Sequence, residues 1–353
     1  MAQVFFDQYI NEHTMNKTLY TDSFEGIDCV SIGGGNGLAT LLLGLKKYVG
    51  ASLPETDKIA HLSAIVAVSD DGGSSGRLRD ELQMPPPGDI RNCMVALSED
   101  SNLLSQLFQH RFRGIGDLGG HNFGNLFLAA LSEITGDFAE AVKLSSEILA
   151  SKGHIYPASV SDVRLAAELY DGSIIQGETR IGNVGRAIKR LYLEPQDCKP
   201  MPEALSAISR ANLITIGPGS LYTSLLPPLL VQGVAKAIAD SPAIKVFICN
   251  LMTQPGETDG LSAQRHFQVL AGYALEVRFD YILVNDQSIS KLQSERYELE
   301  GAEQIGIHGS ISAEPIEGAK IVYGNLLGEG EKVRHDPNKL AQAVLNCSKS
   351  GKI

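Results

Sequence analysis

A chain of 353 residues with 43% hydrophobic and 20% charged residues is long enough to bury a large core without staples and too apolar to be disordered. Thirty basic against forty-one acidic residues give a formal net charge of -11, so no global field draws in a nucleic-acid backbone and an anionic ligand has to be met by a local site. Five cysteines, at Cys29, Cys93, Cys198, Cys249 and Cys347 without a C-x-x-C pair, read as neither a disulfide framework nor a zinc site and point to a cytoplasmic location.

The opening MAQVFFDQYINEHTMNKTLY has neither a basic n-region nor a long apolar h-region, and no stretch approaches bilayer length, so no membrane insertion is expected. Residues 1–25 read as a terminal extension. IDCVSIGGG is then an apolar run of strand length breaking into glycines, followed by NGLATLLLGLKKY with leucines at helical spacing. HLSAIVAVSDDGGSSGRLRDEL repeats this order with a strand through Val68, a polar glycine turn and a short helix. NFGNLFLAALSEIT and DFAEAVKLSSEILAS are helical runs, and about 154–195 reads as a β-rich insertion around an Asp171-Gly172 turn. ANLITIGPGSLYTSLLPPLL and AIKVFICNLMTQPGETDG repeat strand and polar loop, and FDYILVND supplies a further strand. The whole predicts a Rossmann-like, doubly wound α/β fold with a mainly parallel sheet over residues 26–345, and a tail over 346–353.

Open sheets of this kind bind ligands outside the carboxyl ends of their strands, where the glycine loops lie. Gly33, Gly34, Gly35 and Gly37, with Asn36 among them, remove side chains where backbone N–H groups and a helix N-terminus would meet a phosphate. The strict G-x-G-x-x-G fingerprint is broken, since its third position falls on Leu38 or Thr40, which disfavours a nicotinamide cofactor. In the second loop Asp70 suits a ribose hydroxyl or, with Asp71, a magnesium ion, while Gly73, Ser74, Ser75 and Arg77 suit phosphate oxygens. The same loop formally matches a G-x-S-x-G nucleophile elbow at Ser74, but two aspartates separate it from its strand.

Gly217, Gly219 and Ser220 form a third loop that suits an anion, or a rigid turn with Ser220 as N-cap. Asn250, Thr253, Glu257 and Asp259 form a fourth that suits a base or sugar hydroxyls, or a solvated loop. Asp89 reads as a helix N-cap after PPPG, with Arg91 and Asn92 beside it. His121, Asn122 and Asn125 stand at another helix start, whose positive field favours a neutral imidazole. These six residues form a candidate second-ligand or partner pocket.

In order, IGGGNGLATLL, AVSDDGGSSGRLRDEL, PPGDIRNCMVAL, GGHNFGNLFLAAL, IGPGSLYTSLLP, ICNLMTQPGETDG and VRHDPNKL resemble the bacterial YvcK/YbhK gluconeogenesis factor family, related to the CofD 2-phospho-L-lactate transferases. The resemblance implies a CofD-like fold, a cytoplasmic regulator of carbon metabolism, cell shape and envelope homeostasis, and a UDP-sugar ligand such as UDP-N-acetylglucosamine. It makes Gly34, Gly35, Asn36, Gly37, Asp70, Ser74, Gly217, Gly219, Ser220 and Asn250 ligand candidates and adds Arg334 as a phosphate or sugar contact. Leu261 stands where Gram-positive relatives tend to carry a tyrosine, and a leucine neither stacks nor donates in the same way. The relatives leave two readings open: a non-catalytic nucleotide-sugar sensor acting through a regulatory partner protein, or a magnesium-assisted transferase moving a phospho-acid from a nucleotide diphosphate to an acceptor hydroxyl. Related folds also suggest a homodimer.

Overall fold

A computed structural model describes residues 26–50, 58–99, 102–306 and 316–350. Its strands are β1 (Ile27–Gly33), β2 (Ile59–Val66), β3 (His154–Pro157), β4 (Arg164–Leu169), β5 (Ile174–Gln176), β6 (Ile188–Glu194), β7 (Leu213–Ile216), β8 (Ile244–Ile248), β9 (Tyr281–Asn285) and β10 (Lys320–Gly324). Seven of them form one sheet in the order β10-β9-β8-β7-β1-β2-β3, and every neighbouring pair is parallel. The chain steps outward from β1 to β3 on one side and from β7 to β10 on the other. Strand order therefore reverses between β1 and β7, and the loops leaving their carboxyl ends part to open a crevice.

Side chains alternate across the sheet, so each strand feeds two cores. Val30, Ile32, Ile214, Ile216, Phe247 and Ile282 fill one, and Cys29, Ala64, Val66, Leu213, Val246 and Leu283 fill the other. Strands buried on both faces need a helical layer on each. The helices Gly35–Leu45, Gly88–Leu97 and Pro337–Ser350 cover the second core, and Pro202–Arg210 and Ala263–Tyr273 cover the first. Leu38, Leu41, Leu42 and Leu45 are fully buried, each contributing about 1.5–3 kcal/mol, and they seat the helix whose N-terminus meets the crevice. A Cβ on Gly44 of that helix would collide with the Pro337 carbonyl, so glycine lets the last helix pack close and carries Arg334 and His335 to the same crevice.

The β-rich insertion starts later than the sequence suggests. His154–Pro157 pairs in parallel with Ser63–Val66 as the edge strand of the main sheet, and the antiparallel sheet β5-β4-β6 begins at Arg164. A four-residue apolar run carries no periodicity that separates an edge strand from a hairpin arm. Strand β10 is an addition to the expected elements. The last helix runs to Ser350, through most of the expected tail, because Val344, Leu345 and Cys347 are buried in the core. The expected N-terminal extension lies outside the described residues. All five cysteines are free and buried, and among the described residues no single helix is long and apolar enough to cross a membrane.

Candidate ligand site at the strand switch point

Strand β1 runs directly into the glycine turn. Gly35 has φ +59°, and the helix behind it starts from Gly34 without a side-chain cap. Asp89 supplies the missing acceptor, since the Gly35 N–H donates to its carboxylate. The expected N-cap role of Asp89 is corrected accordingly: Pro87 holds that position, and Asp89, in the first turn of its helix, satisfies the start of a neighbouring one. A Cβ on Gly37 would collide with the Pro218 carbonyl, so this glycine also lets the loops after β1 and β7 touch.

The loop after β7 is held from below. Asn250 accepts from the Gly219 N–H at 3.0 Å and donates back to the Gly219 carbonyl at 2.7 Å, so its amide positions backbone. Gln254 Nε2 donates to Ser220 Oγ at 2.8 Å. Ser220 occupies an N-cap position without a side-chain capping bond, and Glu257 takes over by accepting from the Tyr222 N–H at 2.8 Å. Thr253 Oγ1 accepts from the Glu303 N–H and Asp259 from the Gly256 N–H, each at 2.8 Å. The fourth loop's polar side chains, expected to read a base or sugar, are thus largely engaged in shaping their own backbone.

These loops enclose a cavity of 540 Å³. Of the predicted ligand residues, Gly34, Gly35, Asn36, Gly37, Asp70, Gly219, Ser220, Asn250 and Arg334 line it, and Gly73, Ser74, Ser75, Arg77 and Gly217 do not. Glu178, Tyr297 and His335 line it without having been singled out in the sequence. Leu261 lies outside it, in an adjoining cavity that shares Met252, Thr253 and Ala302. A larger cavity of 900 Å³ opens beside edge strand β3, lined by residues such as His61, Lys143 and Tyr156. That one is away from the glycine loops, so chemistry rather than size makes the switch-point cavity the candidate ligand site.

Four carboxyl-bearing residues, Asp70, Asp89, Glu178 and Glu300, line the cavity. Burial, then the charge of Asp70, pushes Asp89 up to about 7. Burial and the charges of Asp89, Asp70 and Asp71 push Glu178 well above the usual carboxylate range. Asp70 Oδ1 accepts from the Gly72 N–H at 2.8 Å. Asp71 is turned away, accepting from the Thr179 N–H at 2.9 Å and its hydroxyl at 2.7 Å. Among the described residues no three His, Cys, Asp or Glu side chains are grouped to hold a metal. A magnesium ion commonly takes one or two carboxylates plus phosphate oxygens, and Asp70 with Asp89, rather than the expected Asp70 with Asp71, suits that arrangement.

On the opposite wall, Arg334 and His335 lie on an extended stretch bridged to Leu327, ahead of Asp336, which caps the last helix by accepting from the N–H groups of Asn338 and Lys339. Burial holds His335 down at about 4, against a bond to the Cys249 backbone, so the ring is neutral. Its buried Nε2 has no partner, which leaves a hydrogen-bonding position open to a ligand.

The remaining candidates gather beside this cavity. Ser74 Oγ lies 3.1 Å from His121 Nδ1 and accepts from the Asn122 N–H and from Asn125 Nδ2 at 3.3 and 3.2 Å. Asn125 Nδ2 also reaches Ser75 Oγ at 3.5 Å, and Asn122 caps the helix Phe123–Thr135. Arg91 Nη2 donates to Asn92 Oδ1 at 2.8 Å. Burial and then the charge of Arg77 lower the pKa of His121. Ser74 and Ser75 of the second loop and Asn122 and Asn125 of the expected second pocket therefore form one hydrogen-bonded group. Among the described residues no carboxylate hydrogen-bonds His121, so the Ser74–His121 contact lacks the orienting third member of a hydrolytic triad.

A family profile described as 2-phospho-L-lactate transferase CofD matches residues 29–327. The gluconeogenesis factor of Halalkalibacterium halodurans is 46% identical over 316 residues, covering 90% of this chain and 95% of that protein. The gluconeogenesis factor of Bacillus subtilis is 44% identical over 321 residues, covering 90% and 96%. A crystal structure of a Bacillus halodurans protein superposes with a TM-score of 0.84 at 44% identity, covering 91% of this chain and 99% of that one.

Proposed function

Because this chain belongs to the gluconeogenesis factor family and carries a CofD domain, we propose that it is a cytoplasmic regulator of carbon metabolism, cell shape and envelope homeostasis that binds a UDP-N-acetylglucosamine-type nucleotide sugar. One observation carries the ligand class. The 540 Å³ cavity joins a helix N-terminus entered through glycines to the guanidinium of Arg334, a pairing suited to phosphate oxygens. The volume lies in the range of small-molecule sites. Its side chains largely position backbone, and among the described residues no nucleophile with an oriented base lines it, which favours binding without turnover. The signal would then pass to a regulatory partner protein, from a monomer or a homodimer.

Isothermal titration of the full chain with UDP-N-acetylglucosamine, GDP and NAD, each with and without magnesium, tests this reading. Selective, metal-independent binding of the UDP-sugar supports it, and failure of all three to bind overturns it. Asp70, Asp89 and Glu178 facing one cavity favour a second reading, a CofD-like transferase in which these carboxylates would hold magnesium, and a phospho-acid would pass from a nucleotide diphosphate to an acceptor hydroxyl as the P–O–P bond breaks and the nucleoside monophosphate leaves. Magnesium-dependent GDP binding would select that reading.

A further inference from the structure

Arg77, Arg91 and Arg111 come from separate elements yet meet at one loop. His110–Phe112 folds back on Gly120–Phe123 as a short ribbon, with the Phe112 N–H bonded to the His121 carbonyl at 2.8 Å and the Gly120 N–H to the Phe112 carbonyl at 2.9 Å. Arg111 faces Asn122 across it. Arg77 Nη2 donates to the Gly119 carbonyl at 2.8 Å and Arg111 Nη1 to the Gly120 carbonyl at 2.6 Å. Two guanidinium groups are thereby pinned to consecutive residues, next to His121.

Arg91 approaches from the other side. A Cβ on Gly124 would sit 2.8 Å from its Cγ, so the arginine stem lies across the start of the helix Phe123–Thr135. Its buried Nε has no partner. Burial, then the charge of Arg111, lowers its pKa. Among the described residues these three arginines make no ion pair, whereas Arg79, Arg164 and Arg186 each pair with an aspartate. Asp89 and Asp70 act on Arg91 in the opposite sense to Arg111, but cations gathered at a helix N-terminus repel one another, and a dianion with several oxygens relieves that repulsion through the planar guanidinium forks.

We propose that Arg77, Arg91 and Arg111, with His121, form an anion site that takes a phosphomonoester, separate from the nucleotide cavity. None of the four lines that cavity. Ser74 and Ser75 with the first turn of the helix at Gly88 stand between the two, where a Cβ on Gly88 would be 2.9 Å from Asp70 Oδ2 and would collide with Ser75 Oγ. The proposal does not depend on the nucleotide-sugar reading. It gives the protein room for two ligands on either side of Asp70, one carrying a nucleotide and one a terminal phosphate.

Titration of the full chain with inorganic phosphate, followed by calorimetry, tests the site in the wild type and in Arg111→Met, Arg91→Met and Arg334→Met. Arg111 is exposed, so its variant keeps the fold and decides the matter if Arg91→Met does not fold. The expected result is saturable phosphate binding, weakened about tenfold or more in Arg111→Met and unchanged in Arg334→Met. Absence of saturable binding, unchanged affinity in Arg111→Met, or an equal loss in Arg334→Met overturns the proposal. The last outcome would place the ion in the nucleotide cavity. Binding of UDP-N-acetylglucosamine, measured separately on the same variants, reports on the nucleotide reading alone.

Discussion

Asp89 Oδ2 stands 2.5 Å from the position that a Cβ on Gly34 would occupy, so a carboxylate from one helix and the turn that starts another fit together only because that turn lacks a side chain. Gly34 is extended, with φ -163°, and its backbone suits any residue; the contact, not the conformation, requires glycine. Gly34→Ala is therefore expected to cost about 1–3 kcal/mol of stability through overpacking and to displace Asp89 from the Gly35 N–H. Urea unfolding together with nucleotide titration measures both, and a variant with wild-type stability and binding would contradict the contact.

The same burial makes Asp89 a source of pH dependence. Its pKa in the fold, about 7, lies above the unfolded carboxylate value of about 3.9, so the native state holds the proton more tightly. The stability it contributes is fully present below the unfolded value and is lost as pH rises through about 7. Glu257, also pushed up to about 7 by burial, acts in the same direction. In Asp89→Asn the first contribution disappears, so the stability of the variant relative to wild type should rise by on the order of 4 kcal/mol between acidic and alkaline buffers across that window. Unfolding free energies at matched pH values check this, and a flat difference would refute it.

Asn250 holds the Gly219 backbone through both its donor and its acceptor. Removing them in Asn250→Ala leaves two partly buried backbone groups unmet, at a cost of about 1–3 kcal/mol. Because the amide shapes the loop, ligand affinity should fall together with stability. Stability loss with unchanged affinity, measured by thermal unfolding and calorimetry, would show that the loop after β7 takes no part in binding.

His335→Leu tests the opposite case, a polar atom unused by the fold. Burial keeps the imidazole at about 4, below the unfolded value of about 6.5. Its contribution to stability is therefore complete above the unfolded value and lost as pH falls toward 4. The leucine variant should lose that acid sensitivity, lose about 1–3 kcal/mol at neutral pH because the Cys249 backbone group is left unmet, and bind the nucleotide about tenfold more weakly. Unaltered nucleotide affinity would mean that Nε2 has no ligand to meet.

The architecture was legible because the signals for it are local. The runs IDCVSIGGG, LITIGPGS and KVFICN combine buried-strand length with glycine or polar turns, and each became a strand and loop on the expected side of one sheet. Asp89 and Asn250 were recognisable as polar groups at loop ends, but their partners, Gly35 and Gly219, belong to other segments. Glu178 carried no local signal at all, since ETRI follows an ordinary strand-like run; Asp71 bonded to Thr179 brings it to the cavity. His335 sits in the RHD stretch from which Arg334 was singled out, and the packing of the last helix against Gly44 decided that both reach the site.

Sequence by itself determined which stretches become strands, where the backbone can approach a phosphate, and that charge of the right sign must be supplied locally, because periodicity, glycine placement and composition act over a few residues. The tertiary structure alone decided which polar groups are engaged in holding loops and which remain open, because hydrogen bonding and burial depend on segments such as Gly35 and Asp89, or Arg77 and Gly119, that lie far apart in the chain and meet only when the sheet reverses its strand order between β1 and β7.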